Sequence, residues 1–100
     1  MKPQTAQEVY NEIVAYMKLN DGKYSNWYCG IASDLVGRLF EDHEVPKEGH
    51  PCIARQCYDN ESGRNVEKAL LELGCDGGAG GGDDTTVYVY AYLKGTMTNP

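Results

Sequence analysis

The segment from residue 85 to residue 93, TTVYVYAYL, constrains the fold most because it is the clearest β-strand in the chain. Successive side chains of a strand point to opposite faces of the sheet. Here one face carries aliphatic residues, which are Val87, Val89, Ala91 and Leu93. The other face carries tyrosines, which are Tyr88, Tyr90 and Tyr92. Because both faces are largely apolar, the pattern predicts a strand that is covered on both sides.

The N-terminal segment predicts a helix over residues 5–19. Thr5 and Glu8 have the spacing of a capping box, in which each side chain binds a backbone N–H that would otherwise lack a partner. The residues NDG at 20–22 tolerate left-handed backbone and end the helix. Apolar residues recur at four-residue steps, which form one helical face. They are Val9, Ile13 and Met17.

A second clear helix is predicted in the C-terminal half. Asn60 or Ser62 is expected to cap it, and Gly74 is expected to end it. Its apolar residues have the spacing i, i+3, i+4 and i+7, and they are Val66, Ala69, Leu70 and Leu73. The glycine-rich segment 74–82 that follows contains neither GxGxxG nor GxxxxGK[ST], so we interpret it as a connector.

Between these helices, residues 23–31, KYSNWYCGI, have strand-favouring aromatic residues and predict a strand. A helix capped by Ser33 is expected next. Its apolar residues are Leu35, Val36, Leu39 and Phe40. Residues 44–60 carry two prolines without a clear period and predict a loop. The predicted fold is α+β, a small antiparallel sheet flanked by about three helices, in a single domain over residues 1–100.

The charge balance limits the classes of partner. The formal net charge is −6, whereas proteins that grip phosphates directly are usually basic on at least one face. A nuclease remains compatible with this balance when its carboxylates hold a metal that in turn binds phosphate. The sequence has neither an apolar run of ~20 residues nor a signal peptide, so we expect a cytoplasmic protein that has no membrane partner. Nothing in the sequence requires a homodimer.

Two charged residues, Arg38 and Glu67, lie next to the apolar faces of predicted helices, and the position of each side chain has two interpretations. Arg38 either lays its stem along the core with its head in water, or contacts a phosphate. Glu67 lies at the edge of the stripe of the C-terminal helix. Periodicity alone favours an exposed position for Glu67 over one that points toward the sheet.

The stretch WYCGIASDLVGRLFEDH, residues 27–43, resembles the second half of the GIY-YIG nuclease signature. The tripeptide YCG, which begins at Tyr28, corresponds to the YIG tripeptide at the end of a strand, and Arg38 corresponds to the arginine of the following helix. His43 lies near a histidine of some members, although its spacing from Arg38 is long. The segment GRNVEKALLELG resembles the helix that carries the metal-binding glutamate of the family, here Glu67. The C-terminal part also looks like the tail of small bacterial proteins, and the resemblance covers residues 24–94.

The resemblance implies metal-dependent phosphodiester hydrolysis of DNA or RNA. Glu67 would hold one Mg²⁺ or Mn²⁺, which would stabilise the leaving oxygen. Arg38 would offset charge on the phosphoryl oxygens. Tyr28 would orient or deprotonate the attacking water.

The chain departs from the family at the first motif, because no GIY tripeptide precedes Tyr28 and that region reads as the N-terminal helix. Tyr24 lies four residues before Tyr28, on the same face of the predicted strand, and could substitute for the missing tyrosine. Residues 24–45 carry four acidic side chains against Arg38 alone, which would repel nucleic acid unless a metal compensates. Two interpretations stay open: a metal-dependent endonuclease, or a non-catalytic acidic module on a similar scaffold that binds a basic protein partner.

Overall fold

The computed structural model describes residues 1–78 and 83–100. Helix α1 runs over Ala6–Asn20, and the predicted capping box is confirmed. The Glu8 backbone N–H donates to the Thr5 hydroxyl at 3.2 Å, and the Thr5 backbone N–H donates to the Glu8 carboxylate at 3.1 Å. The apolar face of the helix is fully buried, as its period predicts, and consists of Val9, Ile13 and Met17.

The C-terminal helix, which we number α3, runs over Asn60–Leu73. Its cap is Asp59, so the predicted cap at Asn60 or Ser62 is wrong. The Asp59 carboxylate accepts a hydrogen bond from the Ser62 backbone N–H at 2.8 Å. Gly74 ends the helix as expected, because its φ of 117° lies in the left-handed region that glycine adopts without steric cost.

Three strands form one antiparallel sheet within the described part of the chain: β1 is Trp27–Ala32, β2 is Cys52–Gln56 and β3 is Tyr88–Leu93. The order is β1-β3-β2, so the C-terminal strand is central. The predicted α+β class with a small antiparallel sheet is confirmed.

The first strand begins later than predicted. Tyr24–Asn26 form a 3₁₀ turn, and only from Trp27 onward does the backbone extend into β1. Tyr24 therefore does not share a strand face with Tyr28, and the expectation that it could substitute for the missing tyrosine on that face is wrong. Its side chain packs instead against the core beneath α1 and α3.

Strand β2 occupies part of the segment 44–60 that was predicted to be a loop. Its sequence, CIARQ, buries only Ile53, so it lacks the alternation that identifies a strand. The strand exists because β3 offers an unpaired edge, and backbone pairing there satisfies hydrogen bonds regardless of side chain. Tertiary pairing, rather than local pattern, determines this element.

Helix α2, residues 35–42, follows β1, and all but its first two residues form the π-helical segment Gly37–Asp42. Its first turn is capped by Asp34, whose carboxylate accepts from the Gly37 backbone N–H at 3.1 Å, and not by Ser33. The wide turn closes where the His43 backbone N–H donates to the Arg38 carbonyl at 3.0 Å, a bond between residues five apart.

The sheet separates two cores. The first core lies between the sheet and the helices α1 and α3, and it includes Trp27, Cys29, Val66, Leu70 and Val89. The second core lies on the other face, between the sheet and α2, and it includes Leu39, Val45, Tyr90 and Tyr92. The prediction that the last strand is covered on both faces is therefore confirmed. Within residues 1–78 and 83–100, neither the length nor the apolar content of any helix suffices to span a membrane.

Candidate functional site

The second face of the sheet gathers three tyrosines. Antiparallel register places Tyr28 of β1 opposite Tyr92 of β3, and Gly30 opposite Tyr90. The rings of Tyr28 and Tyr92 stack with centroids 5.4 Å apart. Tyr90 and Tyr92 are fully buried, whereas Tyr28 is partly exposed. We call Tyr28, Tyr90, Tyr92 and the residues that contact them the tyrosine face.

His43 lies beneath this face with 6% of its surface exposed. Its Nε2 is 2.8 Å from the Tyr90 hydroxyl. Its ring centroid is 4.7 Å from that of Tyr28 and 5.1 Å from that of Tyr92. The imidazole is therefore enclosed by the three phenols, and two of them, Tyr90 and Tyr92, lie within hydrogen-bond distance of its nitrogens.

The hydrogen bonds of His43 determine which ring nitrogen carries the proton. Nδ1 is 2.8 Å from the main-chain carbonyl oxygen of Asn99, and a carbonyl can only accept. Nδ1 is thus the protonated nitrogen of the neutral ring, and Nε2 is left with a lone pair. Tyr90 therefore donates its hydroxyl proton to Nε2, and the Tyr92 hydroxyl, 3.2 Å from Nδ1, shares the Nδ1 proton as a more distant acceptor.

Arg38 forms the exposed rim of the site, since 45% of its side chain is accessible. Its Nε is 3.3 Å from the Asp42 carboxylate in an exposed ion pair. Burial raises the pKa of Tyr90, and the nearby guanidinium of Arg38 opposes part of that rise. The long spacing between Arg38 and His43 is accommodated by the π-helical turn, which brings both residues to Tyr90.

Two glycines make room for the phenol oxygens. A Cβ at Gly30 would lie 2.5 Å from the Tyr90 hydroxyl, and a Cβ at Gly78 would lie 2.7 Å from the Tyr28 hydroxyl. Any larger residue at Gly30 would push Tyr90 away from His43. Burial raises the pKa of Tyr28, while a hydrogen bond from the Gly78 backbone acts in the opposite direction.

Glu67 does not join the tyrosine face. It belongs to α3, which packs in the first core on the other side of the sheet, near Cys29. Glu67 is only 9% exposed, so the exposed position that periodicity favoured is wrong. Burial raises the pKa of its carboxyl, and the nearby Arg64 offsets this in part.

The structure thus brings Tyr28, Arg38 and His43 together and leaves Glu67 and Tyr24 outside this group. The Glu67 carboxylate makes no hydrogen bond or ion pair within residues 1–78 and 83–100, and its oxygens reach solvent, since no fully buried side-chain oxygen in these ranges lacks a partner. In the same ranges, no three His, Cys, Asp or Glu side chains are arranged to hold a metal ion together. Of the glycine-rich segment 74–82, residues 79–82 lie outside the described residues, so its expected role as a connector is described only in part.

Sequence reasoning missed Tyr90 and Tyr92 as site residues. Their alternation was used only to predict a covered strand, and a partner tyrosine for Tyr28 was sought upstream in the chain. The available signal was the row of tyrosines on one face of a strand whose other face is aliphatic. Such a row is more polar than a core requires, because each buried phenol must find a hydrogen-bond partner.

The arrangement contains the parts of a proton relay beside a cation: a phenol that donates to an imidazole, and an accessible guanidinium next to the same phenol.

Comparison with known proteins gives no matching family model, no matching curated protein and no matching solved structure.

Proposed function

We propose that the tyrosine face is a GIY-YIG-like site for metal-dependent hydrolysis of phosphodiester bonds in DNA or RNA. The observation that carries this proposal is the 2.8 Å hydrogen bond between the Tyr90 hydroxyl and His43 Nε2, with Arg38 beside the same hydroxyl. A phenol in contact with both a base and a cation is suited to remove a proton from water next to a phosphate.

In the proposed reaction Tyr90 and His43 carry the proton of the attacking water. Because Tyr90 is only 1% exposed, the rim at Arg38 has to move aside to admit the attacking water. The water then donates a hydrogen bond to a lone pair of the Tyr90 oxygen, which is free because the Tyr90 proton points to His43. As the water oxygen bonds to phosphorus, its proton passes to Tyr90 and the Tyr90 proton passes to Nε2. The bond between phosphorus and the leaving oxygen breaks, and the leaving oxygen takes a proton from solvent.

Arg38 and Tyr28 contact the phosphate in this proposal. The guanidinium of Arg38 is accessible, and its planar donors match two phosphoryl oxygens. Tyr28 is the one partly exposed phenol of the face, so its hydroxyl can hydrogen-bond to substrate or to the attacking water. Arg38 and Tyr28 are accessible at the surface of the tyrosine face, whereas Tyr90 and His43 are buried beneath it.

The order of the tyrosine-bearing strands along the chain differs from that of the family, but their arrangement in the sheet supports the proposal. The family places its first tyrosine motif on a strand before the YIG strand. Here the neighbour of β1 in the sheet is β3, which comes last in the chain and carries Tyr90 opposite Gly30. In this proposal Tyr90, rather than Tyr24, replaces the tyrosine that is missing upstream.

Glu67 is the residue that would hold Mg²⁺ or Mn²⁺. Burial raises the pKa of the Glu67 carboxyl although its oxygens reach solvent, and a divalent cation that binds there would offset the cost of this partial desolvation. Mg²⁺ commonly uses one or two carboxylates and fills its other positions with water and substrate phosphate, so one glutamate is chemically sufficient. Because α3 packs on the face of the sheet opposite to Arg38 and His43, a cation at Glu67 would lie away from a phosphate on the tyrosine face, and no step of the proposed reaction passes through it.

A second candidate is a non-catalytic module that binds a basic protein. The position of Glu67 favours it, because α3 packs on the face opposite to Arg38 and His43. The net charge of −6 also suits a basic partner better than nucleic acid.

The deciding experiment is a cleavage assay. Supercoiled plasmid and end-labelled RNA are each incubated with the wild type and with Glu67→Ala, in Mg²⁺, in Mn²⁺ and in EDTA. We expect wild-type cleavage with metal and none in EDTA, and loss of cleavage in Glu67→Ala would show that a cation at Glu67 does act on the substrate. Cleavage that Glu67→Ala leaves unchanged would remove Glu67 from the site. Absence of cleavage with either metal, together with salt-sensitive binding to a basic protein, would favour the second candidate.

A further inference from the structure

The C-terminal tail, residues 94–100, contacts the tyrosine face through His43. The Asn99 backbone N–H donates to the His43 carbonyl at 2.7 Å, and the Asn99 carbonyl accepts from His43 Nδ1 at 2.8 Å. A turn holds the preceding residues in place, since the Gly95 N–H donates to the Thr98 hydroxyl at 2.9 Å. Two reciprocal hydrogen bonds therefore fix the tail against the imidazole.

We propose that the main-chain carbonyl of Asn99 is a positioning group, which holds His43 in the tautomer that can accept the Tyr90 proton. The consequence for catalysis rests on the proposed function. The tautomer itself does not depend on the proposed function. It follows from the contact of Nδ1 with the Asn99 carbonyl, which can only accept a hydrogen bond.

The opposite tautomer would leave two acceptors in contact. With the proton on Nε2, the lone pair of Nδ1 would face the Asn99 carbonyl oxygen at 2.8 Å. The Tyr92 hydroxyl could then donate to Nδ1, but the carbonyl would lose its partner in a part-buried contact. Nε2 would donate to Tyr90 instead of accepting from it, so Tyr90 would have no base.

The same carbonyl suits the protonated ring. Once His43 has accepted the Tyr90 proton, both ring nitrogens are donors. Nδ1–H keeps the Asn99 carbonyl as its acceptor, and Nε2–H has the Tyr90 oxygen. The arrangement has the logic of a triad in which a third group orients the base, with a main-chain carbonyl in the place of the usual carboxylate.

The test compares the wild type, a chain that ends at Thr98, and Met97→Ala. The shortened chain loses the carbonyl, whereas Met97→Ala changes an exposed side chain of the same tail and keeps it. Nitrogen NMR of ¹⁵N-labelled imidazole reports the protonated ring nitrogen of His43, and circular dichroism reports folding. In a cleavage assay we expect the shortened chain to be slower by about 10²- to 10⁴-fold, the range for losing a positioned base.

The predicted spectrum shows Nδ1–H alone in the wild type and in Met97→Ala, and a mixture or Nε2–H in the shortened chain. A wild-type His43 that carries its proton on Nε2 would overturn the inference, and this holds even if the shortened chain does not fold. A folded shortened chain that keeps Nδ1–H would also overturn it. If the wild type cleaves nothing, the proposed function fails while the spectrum still decides the tautomer.

Discussion

The Tyr90 hydroxyl lies 2.8 Å from Nε2 of His43, although the two residues are 47 positions apart in the chain. One comes from the central strand and the other from the end of a π-helical turn. Both are buried, so each satisfies a polar group that would otherwise be costly to bury. The central strand thus holds the phenol against the imidazole that the proposed proton transfer requires.

Gly30→Ala is expected to displace Tyr90. The new Cβ would lie 2.5 Å from the Tyr90 hydroxyl oxygen and 2.8 Å from Cζ, and the ring is buried and cannot move freely. Overpacking of this kind costs roughly 1–3 kcal/mol of the free energy of unfolding. Urea denaturation measures the loss. Gly22→Ala is the control, because no atom lies within 4 Å of its Cβ, and we expect a change within about 0.5 kcal/mol. Equal effects of the two substitutions would contradict the close contact.

Arg38→Ala is expected to slow cleavage by about 10²-fold, because a donor to the phosphoryl oxygens is lost. Its effect on the free energy of unfolding should stay below about 1 kcal/mol, since the ion pair to Asp42 is exposed. Asp42→Ala breaks the same ion pair and leaves the guanidinium in place, so cleavage should be kept or increased. The same loss of rate in both variants would show that the ion pair, and not the guanidinium, matters.

Glu67→Gln is expected to stabilise the protein at pH 7 by at most about 1 kcal/mol, because it removes a charge whose partial burial is unfavourable and only partly offset by Arg64. Burial raises the pKa of Glu67 above its ordinary 4.5, so the folded state favours the protonated form. Its contribution to stability is therefore present below about pH 4.5 and is lost as the pH rises through the raised pKa. The advantage of Glu67→Gln should shrink toward pH 4. A variant that is less stable than the wild type at pH 7 would reveal a stabilising partner of the carboxylate.

The same residue gives a test of metal binding that needs no substrate. If Glu67 holds the cation, Mn²⁺ should raise the melting temperature of the wild type by mass action and leave that of Glu67→Gln unchanged. Glu72→Gln is the matched control on the exposed face of α3, and it should keep the response. A wild type whose melting temperature does not respond to Mn²⁺ would separate Glu67 from any metal role.

Local patterns predicted the elements whose stability is encoded locally. The capping box at Thr5 and the alternation around Tyr90 specify α1 and β3 through neighbouring residues alone. Strand β2 could not be predicted, because it exists through pairing with β3 and only Ile53 of its side chains is buried. Tyr24 was placed on a strand because aromatic residues favour strands, but a 3₁₀ turn forms there before β1 starts.

Only the part of the site that lies in one continuous segment of the chain could be predicted from the sequence. Tyr28, Arg38 and His43 lie in one continuous segment, so a short motif could identify them. Tyr90 reaches them through strand order, and the Asn99 carbonyl reaches His43 through the path of the tail. Neither contact can be recognised from a local sequence pattern. The position of Glu67 depends on which face of the sheet α3 covers, and periodicity does not determine that.

The most direct test of the account compares Tyr90→Phe with Tyr92→Phe in single-turnover cleavage with Mn²⁺. Both variants remove one hydroxyl from a fully buried ring of β3 and keep the ring itself. The account predicts that Tyr90→Phe slows cleavage by about 10²- to 10⁴-fold, because His43 loses the phenol that relays the proton. It predicts that Tyr92→Phe stays within about tenfold of the wild type, because the Asn99 carbonyl still orients the imidazole. Wild-type cleavage by Tyr90→Phe would contradict the account.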